Sequence, residues 1–62
     1  MDKELLKIGT EIASLWGAEC ISYTIDMKHK RIIFLCIEAG EKFTTSVSFQ
    51  DLKSEYNYKG EL

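Results

Sequence analysis

The chain has 62 residues, of which 45% are hydrophobic and 11% aromatic, and it contains no proline. This composition is typical of one small globular domain rather than of a disordered chain, so we expect a single domain over residues 1–62. The formal net charge of −2 is too small to favour a nucleic-acid binder, which usually carries a basic stripe, or a nucleic-acid mimic, which carries a much larger acidic excess.

The N-terminal segment MDKELLKIGTEI lacks the basic start and the continuous apolar run of a secretory signal. The longest apolar run, Ile32 to Ile37, has six residues, whereas a membrane-spanning helix needs about 20. With only two cysteines in the chain, these features predict a cytoplasmic protein that has no membrane contact.

The first predicted element is an amphipathic helix over about residues 2–16. Five of its apolar residues fall on one stripe at helical spacing: Leu5, Ile8, Ile12, Leu15 and Trp16. Asp2 suits the N-cap, and Gly17 suits the left-handed position that often ends a helix. Gly9 lies inside the stripe, which indicates either close approach of another backbone or a merely tolerated glycine.

After Gly17 the apolar period changes from helical to alternating, which predicts three strands over about residues 18–27, 31–38 and 42–49. Short turns join them, so the predicted fold is α+β: an N-terminal helix packed on a three-stranded antiparallel meander, followed by a short C-terminal tail. The tail is either a helical turn around residues 49–56, with Ser48 and Asp51 as a capping pair, or an irregular arm.

The central strand, RIIFLCIE, is apolar on both faces. With two-residue turns in both hairpins, Ile21 would face Cys36, and the row under the helix would be Ile32, Phe34 and Cys36. Three-residue turns would instead place Ile33, Leu35 and Ile37 under the helix. Either register leaves one apolar row of this strand on the face away from the helix.

That uncovered row is the strongest candidate for a functional surface, because a contiguous apolar patch on a protein surface often marks an interface. With two-residue turns the patch consists of Ile33, Leu35, Ile37, Thr24, Thr44 and Ser46. We expect a second copy of the chain to cover it. The alternative is that residues 50–62 fold over it.

No catalytic, cofactor or metal site is predicted. Cys20, His29 and Cys36 match no zinc-site spacing, and a histidine at a hairpin tip should not meet a cysteine at a strand centre. The ten acidic residues are dispersed along the chain and the four glycines are isolated, so neither a carboxylate pair nor a phosphate-binding loop is indicated. We therefore expect a non-enzymatic protein.

The one basic cluster is Lys28, His29, Lys30 and Arg31. At an exposed hairpin tip these side chains form a candidate contact for phosphate or for an acidic partner. The simpler interpretation is that they keep the turn soluble.

These observations favour a homodimeric protein–protein interaction module that inhibits or regulates another, unidentified protein. Small acidic cytoplasmic chains of this kind include regulators carried by phages and other mobile elements. Two alternatives stay open. One is a nucleic-acid-contacting regulator that uses the basic tip with Tyr56 and Tyr58, and the other is a small-molecule sensor whose pocket lies between the subunits of a dimer.

Overall fold

The computed structural model describes residues 2–62, which form two helices and one three-stranded sheet. In chain order the elements are α1 (Lys3–Ser14), β1 (Glu19–Asp26), β2 (Arg31–Glu38), β3 (Glu41–Ser48) and α2 (Phe49–Ser54). The strands are antiparallel in the order β1-β2-β3, which confirms the predicted α+β meander. Among the described residues, neither helix is long and apolar enough to span a membrane.

The start of α1 is fixed by Asp2, as predicted. Its Oδ1 accepts hydrogen bonds from the backbone N–H groups of Glu4 (2.9 Å) and Leu5 (3.3 Å), which satisfies two of the amide donors that a helix leaves free at its first turn. Ser48 caps α2 in the same way, because its hydroxyl oxygen accepts from the Asp51 N–H at 3.1 Å. The tail is therefore helical in its first part.

The helix ends earlier than the apolar stripe does. Gly17 takes a left-handed φ of +68°, and the Ala18 N–H returns to the Ala13 carbonyl at 3.0 Å, which is a Schellman-type helix end. The chain therefore turns before Leu15 and Trp16 can join the core, and these side chains are 79% and 51% exposed. The prediction that they belong to the buried stripe is wrong for both, although Trp16 keeps one aromatic contact, described below.

The register predicted from two-residue turns is confirmed for most of the sheet, although the first turn has four residues, 27–30, and only the second has two. Tyr23 pairs with Phe34 in the first hairpin, and Phe43 pairs with Cys36 in the second. The second turn is tight because Ala39 and Gly40 both have positive φ, +50° and +81°, as a type I′ turn requires.

One pairing differs from the prediction, because β1 contains a bulge at Ile21. Cys20, rather than Ile21, lies opposite Cys36, and the register resumes with Ser22 opposite Leu35. The reason is the close approach of α1: a Cβ built on Gly9 would lie 2.6 Å from the Cys20 Sγ. A small cysteine fits in that space and the larger isoleucine does not. The neighbours of Gly9 are thus side chains, not another backbone.

The core lies on one face of the sheet. α1 packs over β1, and α2 with the following tail lies on the β3 side of the same face. The buried residues come from both helices, the tail and the central strand: Leu5, Ile8, Ile12, Ala13, Ala18, Ile32, Phe34, Cys36, Leu52 and Tyr58. Burying apolar side chains from both helices, the tail and β2 in one cluster is how so small a domain gains its stability.

Hydrogen bonds fasten the tail to the start of α1. The Tyr58 hydroxyl donates to Asp2 Oδ2 at 2.6 Å, and the Lys59 N–H donates to Glu4 Oε2 at 3.1 Å. The Asp2 N–H in turn donates to the Tyr23 hydroxyl at 2.9 Å. Asp2 therefore joins the helix start to both the sheet and the tail.

The bond between Asp2 and Tyr58 makes stability depend on pH. This bond, with burial, raises the pKa of Tyr58 from 10.0 to about 12, and it lowers the pKa of Asp2 below 3.8. The contribution of Tyr58 is full below its unfolded pKa of 10.0 and is lost as pH rises towards 12. The contribution of Asp2 is full above its unfolded pKa of 3.8 and is lost as pH falls through its lowered folded pKa.

Tyr58→Phe is expected to lower the free energy of unfolding at neutral pH. It is also expected to reduce the alkaline decline, by which we mean the loss of that free energy as pH rises above 10.0. The physical reason is that phenylalanine keeps the buried ring but cannot donate to Asp2. Urea unfolding at a series of pH values measures both effects. Tyr56→Phe is the matched control, because the Tyr56 side chain is only half-buried, and it should keep the alkaline decline. An alkaline decline of wild-type size in Tyr58→Phe would contradict the prediction.

Candidate interaction surface

The sheet face turned away from α1 and α2 is the candidate site, and we call it the open face. It is made of Ile33, Leu35 and Ile37 along β2, with Ser22, Thr24, Thr44 and Ser46 beside them on β1 and β3. The three aliphatic side chains are half-buried by their neighbours alone, whereas Thr24, Thr44 and Ser46 are exposed. All six residues predicted for the patch therefore share this face.

The open face is apolar at its centre. Leu35, the middle of the aliphatic row, lies between Ser22 and Thr44 in the sheet register. These neighbours have short side chains, so they leave the aliphatic row accessible. Their hydroxyl groups can form hydrogen bonds either with water or with another protein chain. Charged residues lie in both end rows: Glu19 and Lys42 flank Ile37 at one end, and Asp26 pairs with Arg31 at the other.

The bulge leaves Ile21 without a partner on β2, whereas the sequence prediction placed it opposite Cys36. Cys20 takes that place beside Gly9, and the Ile21 side chain is 44% exposed. The signal that could have revealed this is the glycine in the helix stripe: a position pressed against Gly9 favours a small side chain such as Cys20 over Ile21.

The tail does not cover the open face. Leu52 and Tyr58 are 0% and 6% exposed, and both belong to the same cluster as Phe34, on the side of the helices. The alternative in which residues 50–62 fold over the aliphatic row of β2 is therefore excluded for this conformation of the chain.

The basic hairpin tip is partly neutralised by an acid that the sequence prediction did not include. Asp26 Oδ2 accepts from Arg31 Nε at 2.9 Å and lies 2.9 Å from His29 Nδ1. The Arg31 guanidinium is the main reason that the pKa of Asp26 falls to about 2, with the His29 contacts adding to it. Of the four candidate anion contacts, Lys28 and Lys30 are the two whose charges are not shared with Asp26.

The three soft ligand residues are not brought together. Cys20 and Cys36 are directly opposite each other in neighbouring strands, both as free thiols, and burial raises the pKa of each. His29 lies in the turn at the other end of the hairpin. Across residues 2–62 no three histidine, cysteine or acidic side chains are close enough to hold a metal ion.

The open face has an aliphatic centre with polar surroundings, a pattern that protein interfaces also show. Tyr58, a candidate nucleic-acid contact, is in the core with its hydroxyl bonded to Asp2. Comparison of the chain with protein-family models, curated proteins and solved structures finds no match.

Proposed function

We propose that this chain is a non-enzymatic protein–protein interaction module that pairs with a second copy of itself through the open face. The observation that carries the proposal is that both helices and the tail pack on one side of the sheet, which leaves Ile33, Leu35 and Ile37 without cover. Two sheets packed face to face bury such a surface in many proteins.

The arrangement of charges supports a second copy as the occupant. When two such sheets stack about a two-fold axis that runs along β2, β1 of each copy lies over β3 of the other. Leu35 then meets its own copy at the centre. Glu19 of each copy lies over Lys42 of the other, because both residues occupy the row of Ile37. The same surface thus supplies both partners of an opposite-charge contact.

The size of the open face indicates a weak dimer. Three strands of eight residues cover an area roughly 26 Å long and about 14 Å wide. A standard interface buries about 800 Å² of accessible surface on each partner, so this one belongs near the lower end of the range. We expect a dissociation constant in the micromolar range or weaker.

Molar mass measured by light scattering over a range of concentrations tests the proposal. The mass is expected to rise from the monomer value of 7.1 kDa towards twice that value between about one micromolar and about one millimolar protein. A mass that stays at the monomer value throughout this range would overturn self-association through the open face.

We further propose that this module acts in the cytoplasm as an inhibitor or regulator of another protein, in the manner of small regulators of phages and mobile elements. The support is the small size of the chain together with a surface suited to contacts. The engagement of His29 and Arg31 by Asp26 favours this role over nucleic-acid binding.

A further inference from the structure

A cleft lies where the end of α1 meets β3, outside the core and beside the second hairpin turn. Its volume is about 390 Å³, and its walls are Trp16, Glu38, Phe43, Thr44 and Thr45. We call it the Trp16 cleft. It is separate from the aliphatic row of the open face, with Thr44 as the residue that the two surfaces share.

Two aromatic rings form the apolar walls of the Trp16 cleft. The Trp16 and Phe43 ring centroids are 6.1 Å apart and the planes are almost perpendicular, at 89°. The early end of α1 is what projects Trp16 outwards, and the indole is still 51% exposed after making this contact. Aromatic ring surface is therefore available to an occupant of the cleft.

The charged wall of the cleft is acidic, and Glu38 forms no ion pair with the other residues that the structure describes. Glu38 lies directly opposite Glu41 across the Ala39–Gly40 turn, although like charges in facing positions destabilise a hairpin. The ion pairs within residues 2–62 involve Asp26 and not these glutamates. Lys42 lines an adjoining hollow that Glu38 also lines, but it is not part of the cleft wall.

We propose that the Trp16 cleft binds an organic cation, with the head group on the aromatic rings and its charge facing Glu38. Aromatic rings attract cations through their electron-rich faces, and quaternary ammonium and guanidinium groups are favoured because they are large and weakly hydrated. The carboxylate of Glu38 adds an opposite charge in the same cavity. A cation there would also relieve the repulsion between Glu38 and Glu41.

The fluorescence of Trp16 gives a direct measurement, because it is the only tryptophan in the chain. Choline is the first probe, and neohexanol is its matched control, since it has the same shape with carbon in place of the ammonium nitrogen. N-acetyl-arginine amide and N-acetyl-citrulline amide form the second pair and test a guanidinium group against its neutral analogue. Titrations are run at protein concentrations both below and above the dimer midpoint, because Thr44 belongs to both surfaces.

We expect at least one cation to bind at least about threefold more tightly than its neutral analogue. A response to choline indicates a small quaternary ammonium ligand, and a response to the arginine derivative alone indicates the side chain of a partner protein. Equal affinities for the charged and neutral member of both pairs, or no response to any probe, would overturn the proposal.

Glu38→Gln is the variant that isolates the charge, since it is nearly isosteric and Glu38 is exposed at the end of β2. It is expected to weaken cation binding about threefold or more without changing the affinity for neohexanol. Lys42→Gln removes a nearby positive charge instead, so it should tighten cation binding. Unfolding curves of both variants confirm that the fold is retained. Unchanged cation affinity in a folded Glu38→Gln variant would contradict the role of the carboxylate.

Discussion

Leu35→Glu is expected to keep the chain a folded monomer at concentrations at which the wild-type chain dimerises. Leu35 is the centre of the open face and makes no part of the buried core, so the glutamate can remain in water in the monomer. In the proposed two-fold dimer it would meet its own copy, which brings two carboxylates together in a desolvated contact. We expect the dimer to weaken by at least about a hundredfold, because each aliphatic side chain lost from an interface costs roughly 1.5–3 kcal/mol and the change occurs in both copies.

Two other glutamate variants serve as controls for Leu35→Glu. Thr10→Glu adds the same charge on the exposed side of α1, and it should leave the dissociation constant unchanged. Phe34→Glu puts the charge at a position that is 0% exposed, so it should abolish folding rather than dimerisation. Molar mass and circular dichroism distinguish these results. A Leu35→Glu chain that dimerises like the wild type would exclude the open face as the interface.

Gly9→Ala is expected to destabilise the fold, although alanine is the better helix former. The gain in helix propensity is about 1 kcal/mol. Against it, the added Cβ would lie 2.6 Å from Cys20 Sγ and 2.6 Å from Phe34 Cδ1, and Phe34 is fully buried and has little room to move. Overpacking of this kind costs about 1–3 kcal/mol. The steric cost therefore dominates, and we expect a lower free energy of unfolding in urea.

A second substitution shows whether the clash is the cause. In the background of Gly9→Ala, Cys20→Ala removes the sulfur atom that the new methyl group would meet, so part of the lost stability should return. The double-mutant cycle of Gly9 and Cys20 should then show a favourable coupling between the two changes. Additive losses would mean that the Gly9→Ala destabilisation has a cause other than this contact.

Much of the fold follows from local patterns in the chain. The apolar period of residues 3–14, the alternation in the three strands and the cap at Asp2 were sufficient to predict the element order. The turn at Ala39 and Gly40 carries no Asn-Gly signature, yet it adopts the type I′ geometry and establishes the register of the second hairpin. The patch of Ile33, Leu35 and Ile37 was predictable because those residues alternate with the core row.

The remaining features depend on contacts between distant parts of the chain. The exit of Leu15 from the core follows from the turn at Gly17, and the pairing of Cys20 follows from the distance between α1 and β1. The side on which the tail packs depends on Asp2 and Tyr58, which are 56 positions apart. Periodicity describes one segment at a time, so it could not indicate these outcomes.

The bulge at Ile21 also limits how the sheet can grow. A sheet with two regular edges can accept a new strand at each edge, so copies can add without end and form fibres. Here β1 and β3 are the two edges, and the bulge interrupts the ladder of β1 only. The eight residues of β3 pair without a register shift, so β3 is the more regular of the two edges. We therefore expect a strand added to this sheet to pair with β3 in preference to β1.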